Sequence, residues 1–132
     1  QLKTVEDIML TGDKIPFIDG SIKMNKALKI LSNKKLGILI IRNKKKITKG
    51  IITDGQIRRY NEKKSNLHTM KVSSIMTKNP ISIDQNELAA KALNLMTSKK
   101  KITSLCVHKT SKRKRNAASG YCRLFSRLGA RP

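Results

Sequence analysis

The sequence predicts a mixed α/β fold made of two tandem β-α-β-β-α units, the second of them incomplete. Three observations predict it. The stretch Val5-Glu6-Asp7-Ile8-Met9 returns 67 positions later as Val72-Ser73-Ser74-Ile75-Met76. Each copy is followed by a short apolar stretch beside a proline, and then by apolar residues at helical spacing. Each helix gives way to a continuous apolar run of strand length, the pattern of a buried strand.

Taken in chain order, Glu6 to Met9 is a short helical lead-in, and Ile15-Pro16-Phe17-Ile18 is the first extended stretch. Met24, Ala27, Leu28 and Leu31 recur at i, i+3, i+4 and i+7, which places them on one face of an amphipathic helix. Leu36 to Ile41 is the buried strand, Asn43 to Lys46 a polar turn, and Ile47 to Thr53 a second strand. Asp54 is suited to cap a helix from about Gly55 to Glu62, with Ile57 and Tyr60 on one face. In the second unit Pro80-Ile81-Ser82-Ile83 is extended, and Asp84 with Glu87 suits a capping box. Leu88, Ala89, Ala92, Leu93 and Met96 form the helical stripe, and Ile102 to Val107 the strand. The expected limits are therefore 1–64 for the first unit, 65–71 for a polar linker and 72–108 for a truncated second unit. Residues 109–132 form a basic tail without clear period.

The chain of 132 residues carries 30 Lys and Arg against 8 Asp and Glu, a net charge of +22. That excess suggests a nucleic-acid binder until its distribution is examined. Residues 1–108 hold 19 Lys, 3 Arg, 16 Ile and every acid, for +14, whereas 109–132 hold 3 Lys, 5 Arg and no Ile, for +8. Lysine is rarely fully buried, so the body's lysines are expected to form a solvated coat. Phe17 and Tyr60 are the only aromatic residues of the body, too few for a base-stacking platform. The abrupt break near Lys109 suggests a frame-shifted or foreign tail, the alternative being a basic extension that contacts phosphate backbones. A first residue of Gln rather than Met suggests a fragment.

No run of 18 apolar residues exists, so no membrane helix is expected, and no secretory signal is visible. Cys106 and Cys122 make neither a disulfide framework nor a zinc site, and Cys106 alternates within an apolar strand as a core residue would. His68 and His108 have no nucleophile or carboxylate partner at recognisable spacing, so no catalytic and no metal residue is assigned. Phosphate-loop and Rossmann glycine patterns are absent.

Over residues 1–108 the chain resembles a tandem pair of CBS domains, the β-α-β-β-α modules named after cystathionine β-synthase. Val5 to Met9, Gly12-Asp13-Lys14-Ile15-Pro16, Lys35-Leu36-Gly37 and the stretch Gly50-Ile51-Ile52-Thr53-Asp54-Gly55-Gln56-Ile57-Arg58-Arg59 resemble the regulatory half of KpsF/GutQ-family arabinose-5-phosphate isomerases. Ala92 to Met96 and Ile102-Thr103-Ser104 continue the match. The resemblance implies a regulatory module of a bacterial cytoplasmic isomerase whose catalytic sugar isomerase (SIS) domain precedes it. It also implies homo-oligomers through CBS pairing, a role in lipopolysaccharide-sugar synthesis, and no catalysis by this chain alone. No cofactor is implied. The regulatory ligand would be an adenosine nucleotide or a CMP-Kdo-like metabolite. The alternatives are a purely structural dimerisation module and, less favoured by the sequence, a basic nucleic-acid binder.

The family holds ligands through a Gly-apolar-x-Ser/Thr-x-x-Asp pattern and apolar strand edges. Carried over, the candidate ligand-binding residues are Ile15, Pro16, Gly37, Ile38, Thr53, Asp54, Gln56, Arg58, Asn79, Pro80, Ile102 and Thr103. The Thr53 hydroxyl can donate to a phosphate or ribose oxygen, and Arg58 with Arg59 can neutralise phosphate charge. The helix starting near Asp54 would turn backbone N–H groups toward an anion. Gln56 stands where the family has Asp, and an amide accepts two ribose hydroxyls less well than a carboxylate. Alternatively, Thr53 and Asp54 serve only as helix caps, and Gly37 and Gly50 only as strand glycines.

Overall fold

A computed structural model describes residues 2–34, 36–63, 66–98, 102, 104–109 and 123–126. The elements follow the predicted order. Helix α1 (Val5–Ile8) leads to strand β1 (Phe17–Ile18), helix α2 (Met24–Lys34), strands β2 (Ile38–Arg42) and β3 (Thr48–Thr53), and helix α3 (Asp54–Glu62). The second unit repeats this as α4 (Val72–Ile75), β4 (Ser82–Asp84), α5 (Ala89–Ser98), β5 (Ser104–His108) and β6 (Arg123–Ser126). Each unit has a three-stranded sheet, ordered β1-β2-β3 and β4-β5-β6. In each, the first strand runs parallel and the third antiparallel to the central one.

Strand β6 is a departure from the sequence expectation, which ended the second unit at His108. Its backbone pairs Val107 with Arg123 and Ser104 with Ser126. By register Ser126 takes the place beside β5 that Thr53 takes beside β2, where Ile38 pairs with Thr53. The physical reason is the open edge of β5, whose unpaired backbone groups are satisfied by a strand that the chain's periodicity does not advertise. The cluster Lys112 to Arg115 lies outside the described residues.

The two lead-ins cross. Helix α1 leaves the first unit and packs on the second: Val5 N donates to Glu87 O at 2.8 Å, Glu6 N to Gln85 O at 2.9 Å, and Ala89 N to Lys3 O at 2.8 Å. Val5 is fully buried with Ile83, Ala92, Met96, Leu105 and Val107. Helix α4 does the same on the first unit: Val72 N donates to Ile22 O at 2.8 Å, Ser73 N to Gly20 O at 2.9 Å, and Met24 N to Met70 O at 2.8 Å. Val72 is buried with Met24, Ala27, Leu39 and Ile52. The identical bonding of the two halves explains why the Val-x-x-Ile-Met signature is duplicated. Between the sheets, Leu10, Ile15, Ile38, Ile40 and Cys106 form a third cluster, which confirms Cys106 as a core residue.

Three local expectations are corrected. Thr53, rather than Asp54, caps α3, accepting from Gln56 N at 3.3 Å. Asp84 does not cap a helix: it is still paired with His108 in the sheet, and its carboxylate accepts from Asn86 N at 2.8 Å in a turn that delays α5 to Ala89. Leu88 and Leu93 flank the buried stripe of Ala89, Ala92 and Met96 rather than joining it, and are 42% and 41% exposed. Among the described residues no helix is long and apolar enough to cross a membrane.

Two carboxylates, Asp7 exposed and Asp19 half-buried, tie the turns at these junctions. Asp7 accepts from Thr4 N at 2.8 Å, and hydrogen bonds from Thr4 hold its carboxyl below the usual value of 3.8. The Ser21 hydroxyl and backbone N–H, both at 2.7 Å, lower Asp19 in the same way. Because both are depressed in the folded chain, their contribution is complete above the ordinary carboxylate pKa and is lost as pH falls through the depressed values. Asp7→Asn with Asp19→Asn is therefore expected to reduce stability at neutral pH and to flatten its decline below about pH 4. Urea denaturation across pH 2–7 measures this, and parallel acid limbs for variant and wild type would contradict it.

Candidate ligand-binding cleft

Strand β3 ends at Thr53, and α3 begins immediately, so the hydroxyl, the first-turn carboxylate of Asp54 and the guanidinium groups one turn on share one mouth. These groups face a cleft of about 1040 Å³, a size within reach of small-molecule sites. The first unit supplies Leu28, Leu31, Ser32, Leu36, Gly37, Ile38, Ile51, Thr53, Asp54, Gly55, Ile57, Arg58 and Arg59. The second supplies Thr77, Asn79, Pro80, Ile81, Ile102 and Ser104. An apolar floor with a few polar groups and two cations at its rim suits a flat, partly apolar anion.

Eight of the twelve sequence candidates come together here: Gly37, Ile38, Thr53, Asp54, Arg58, Asn79, Pro80 and Ile102. Ile15 and Pro16 do not: both are buried away from the cleft lining, Ile15 in the cluster between the sheets. Their place in the first unit matches that of Pro80 and Ile81 in the second, so the crossed packing sends them to another part of the interface. Thr103 lies outside the described residues.

Gln56 is also outside the cleft, for a reason that the sequence did not suggest. Its amide Nε2 donates to the Ile75 carbonyl, and its Oε1 accepts from Thr77 Oγ1 at 3.2 Å. The residue that departs from the family pattern thus clasps α3 to the second lead-in, and Asp54 is the carboxylate that lines the cleft. Gly37 adopts φ +71, and a Cβ there would stand 3.0 Å from Asp54 Oδ2, so the glycine both turns the chain and admits that carboxylate. Gly50 is needed for close approach. Its added Cβ would meet the Thr77 carbonyl at 2.7 Å, where Ile51 and Thr77 exchange backbone hydrogen bonds of 3.0 and 2.8 Å.

Sequence reasoning missed Ser104, Ser32, Thr77, Leu28 and Ile81. Ser104 sits in a run that reads as plain strand, and only its register, which matches that of Ile38, brings it to the cleft. Its hydroxyl is buried without a hydrogen-bond partner among the described residues. Leaving such a group unpaired costs about 1–3 kcal/mol. Elsewhere, His68 is exposed in the turn Leu67–Thr69, and His108 Nδ1 lies 3.9 Å from Asp84 Oδ2 at the far end of β5. No group of three metal-ligating side chains occurs among the described residues.

Comparison with known proteins agrees with this architecture. The CBS domain family model matches residues 5–63 and 72–113. An arabinose 5-phosphate isomerase, KdsD of Yersinia pestis, is 38% identical over 106 residues, 80% of this chain and 32% of that protein. The chain thus spans about a third of the length of such relatives. Among solved structures, CBSX2 of Arabidopsis thaliana in complex with AMP has a TM-score of 0.73 at 18% identity, covering 96% of this chain and 92% of that one. The CBS domain protein PAE2072 of Pyrobaculum aerophilum, complexed with AMP, also has a TM-score of 0.73, at 12% identity over 94% and 87% of the two chains. At such identities these two likenesses concern the fold alone. The family match over both units, on a fold that pairs them through exchanged lead-ins, establishes that the chain belongs to the CBS domain family.

Proposed function

We propose that the chain is the regulatory nucleotide-binding module of an arabinose-5-phosphate isomerase, acting on a catalytic SIS domain elsewhere in the same protein. The observation that carries this reading is the cleft itself, with the Asp54 carboxylate and Thr53 hydroxyl between an isoleucine-lined floor and the cations Arg58 and Arg59. A base would lie on Ile38, Ile51 and Ile102, the ribose hydroxyls would donate to Asp54, and the phosphate would meet Arg58, Arg59 and the first turn of α3. Asp54 would do for the ribose what the family's Asp does from the position of Gln56. The relative named an isomerase and the relatives solved with AMP support the same reading. Regulation would follow if the ligand binds one isomerase state more tightly than the other. The setting would be the bacterial cytoplasm and the assembly a homo-oligomer. The module would contribute no catalytic residue.

A thermal melt tests the proposal. AMP, ATP or CMP-Kdo at about 100 times its dissociation constant adds about 2.7 kcal/mol of stability, which raises Tm by several degrees in a domain of this size. Arg58→Ala combined with Arg59→Ala is expected to remove most of that shift for phosphorylated ligands. If no nucleotide moves Tm at millimolar concentration, the regulatory reading fails. The exposed Leu88, just before α5, and Leu93 on it would then favour a structural dimerisation module.

A further inference from the structure

Ser104 is the one polar group that β5 brings to the cleft, and it interrupts an otherwise apolar wall of Ile38, Ile51, Ile81 and Ile102. The residue is 9% exposed, and its Oγ has no hydrogen-bond partner among the described residues. In the first unit the equivalent register position is Ile38, which also lines the cleft, so the fold does not require a hydroxyl there. A desolvated hydroxyl without a partner is unfavourable by itself and becomes favourable once something in the cleft pairs with it. The cations Arg58 and Arg59 and the Asp54 carboxylate come from the other unit, on α3, whereas the neighbours of Ser104 in chain and register, Ile102 and Ile38, are apolar.

We propose that Ser104 is the specificity-determining residue of the cleft, its hydroxyl hydrogen-bonding the exocyclic polar group of a bound purine. This rests on the nucleotide reading above. Because a hydroxyl both donates and accepts, Ser104 serves a 6-amino or a 6-oxo purine. It discriminates against a ring that carries neither, which would leave the hydroxyl unpaired.

The test measures binding of AMP, IMP and purine riboside 5′-monophosphate by calorimetry to the full chain and to its Ser104→Ala variant. The wild type is expected to favour AMP and IMP over the bare purine by about tenfold, and Ser104→Ala to erase that preference by weakening AMP and IMP alone. Without ligand, Ser104→Ala should melt at or above the wild-type temperature, since it removes an unpaired group. An unchanged ranking, an equal loss for all three nucleotides, or a lower Tm of the ligand-free variant would overturn the assignment. Failure of the wild type to bind any of the three would instead overturn the nucleotide reading.

Discussion

Gly50→Ala is expected to lower stability by about 2–4 kcal/mol, combining the overpacking of a filled site with the weakening of a backbone bridge. The backbone of Gly50 is not in the left-handed region, so strain at the residue itself is not the cause. The cause is the neighbour. The new methyl group would stand 2.7 Å from the Thr77 carbonyl and 3.0 Å from two atoms of Met76. That carbonyl cannot retreat freely, because it accepts from Ile51 N at 3.0 Å. Pushing it away also moves the segment that carries Thr77, Asn79, Pro80 and Ile81 into the cleft, so nucleotide stabilisation should fall with the fold. Gly55→Ala, at a position that also lines the cleft, is the control for stability in the absence of ligand. Its Cβ would meet only Arg59 Nη1 at 3.5 Å, and alanine within helix α3 should be neutral or stabilising by up to about 1 kcal/mol. Equal denaturation midpoints for Gly50→Ala and wild type would show that the close approach of β3 to the second lead-in is wrong.

Val5→Ala should weaken the second unit, although Val5 lies at the start of the chain. Its side chain is fully buried among Ile83, Ala92, Met96, Leu105 and Val107, and removing its methyl groups is expected to cost about 1.5–3 kcal/mol. Val72→Ala should do the reverse, because Val72 packs against Met24, Ala27, Leu39 and Ile52 of the first unit. Hydrogen exchange separates the two outcomes. Val5→Ala should speed exchange in β4 and β5 before β2 and β3, and Val72→Ala in β2 and β3 first. If each variant instead loosened the unit that follows it in sequence, the crossing would be refuted.

How much of the site was legible depended on whether a residue's role is local. Thr53 was recognisable because a hydroxyl three residues before the N–H that it caps is a contact within one turn of chain. Arg58 follows from it by helical geometry. Gln56 was recognisable as a departure from the family pattern but not as a clasp, since its partners Ile75 and Thr77 lie 19 and 21 residues away. Ser104 carried no signal, because a serine in an apolar run is equally compatible with a tolerated strand position. Ile15 and Pro16 carried a misleading one: a short motif does not tell whether the packing of the two units leaves it at the cleft or buries it elsewhere.

The net charge of +22 is read more narrowly on the same grounds. The body's lysines include Lys26, Lys29 and Lys49, all exposed, as expected of a solvated coat. Leu88 and Leu93 show the opposite failure, apolar residues counted with a core stripe that the structure leaves outside it.

By itself, then, the sequence determined the kind and order of the elements as far as β5, the duplication, the core identity of Ile38 to Ile41 and Cys106, and eight of the residues that line the cleft. These follow from periods of two and 3.6 residues and from caps, which are written within a few positions of one another. The tertiary structure alone decided that the lead-ins exchange units, that Asp54 rather than Gln56 lines the cleft, that β6 pairs with β5, and that Ser104 is buried there without a partner. Each of these depends on which distant backbone a residue meets. Such a meeting is settled by the packing of whole faces and the pairing of open strand edges, which no short stretch of sequence encodes.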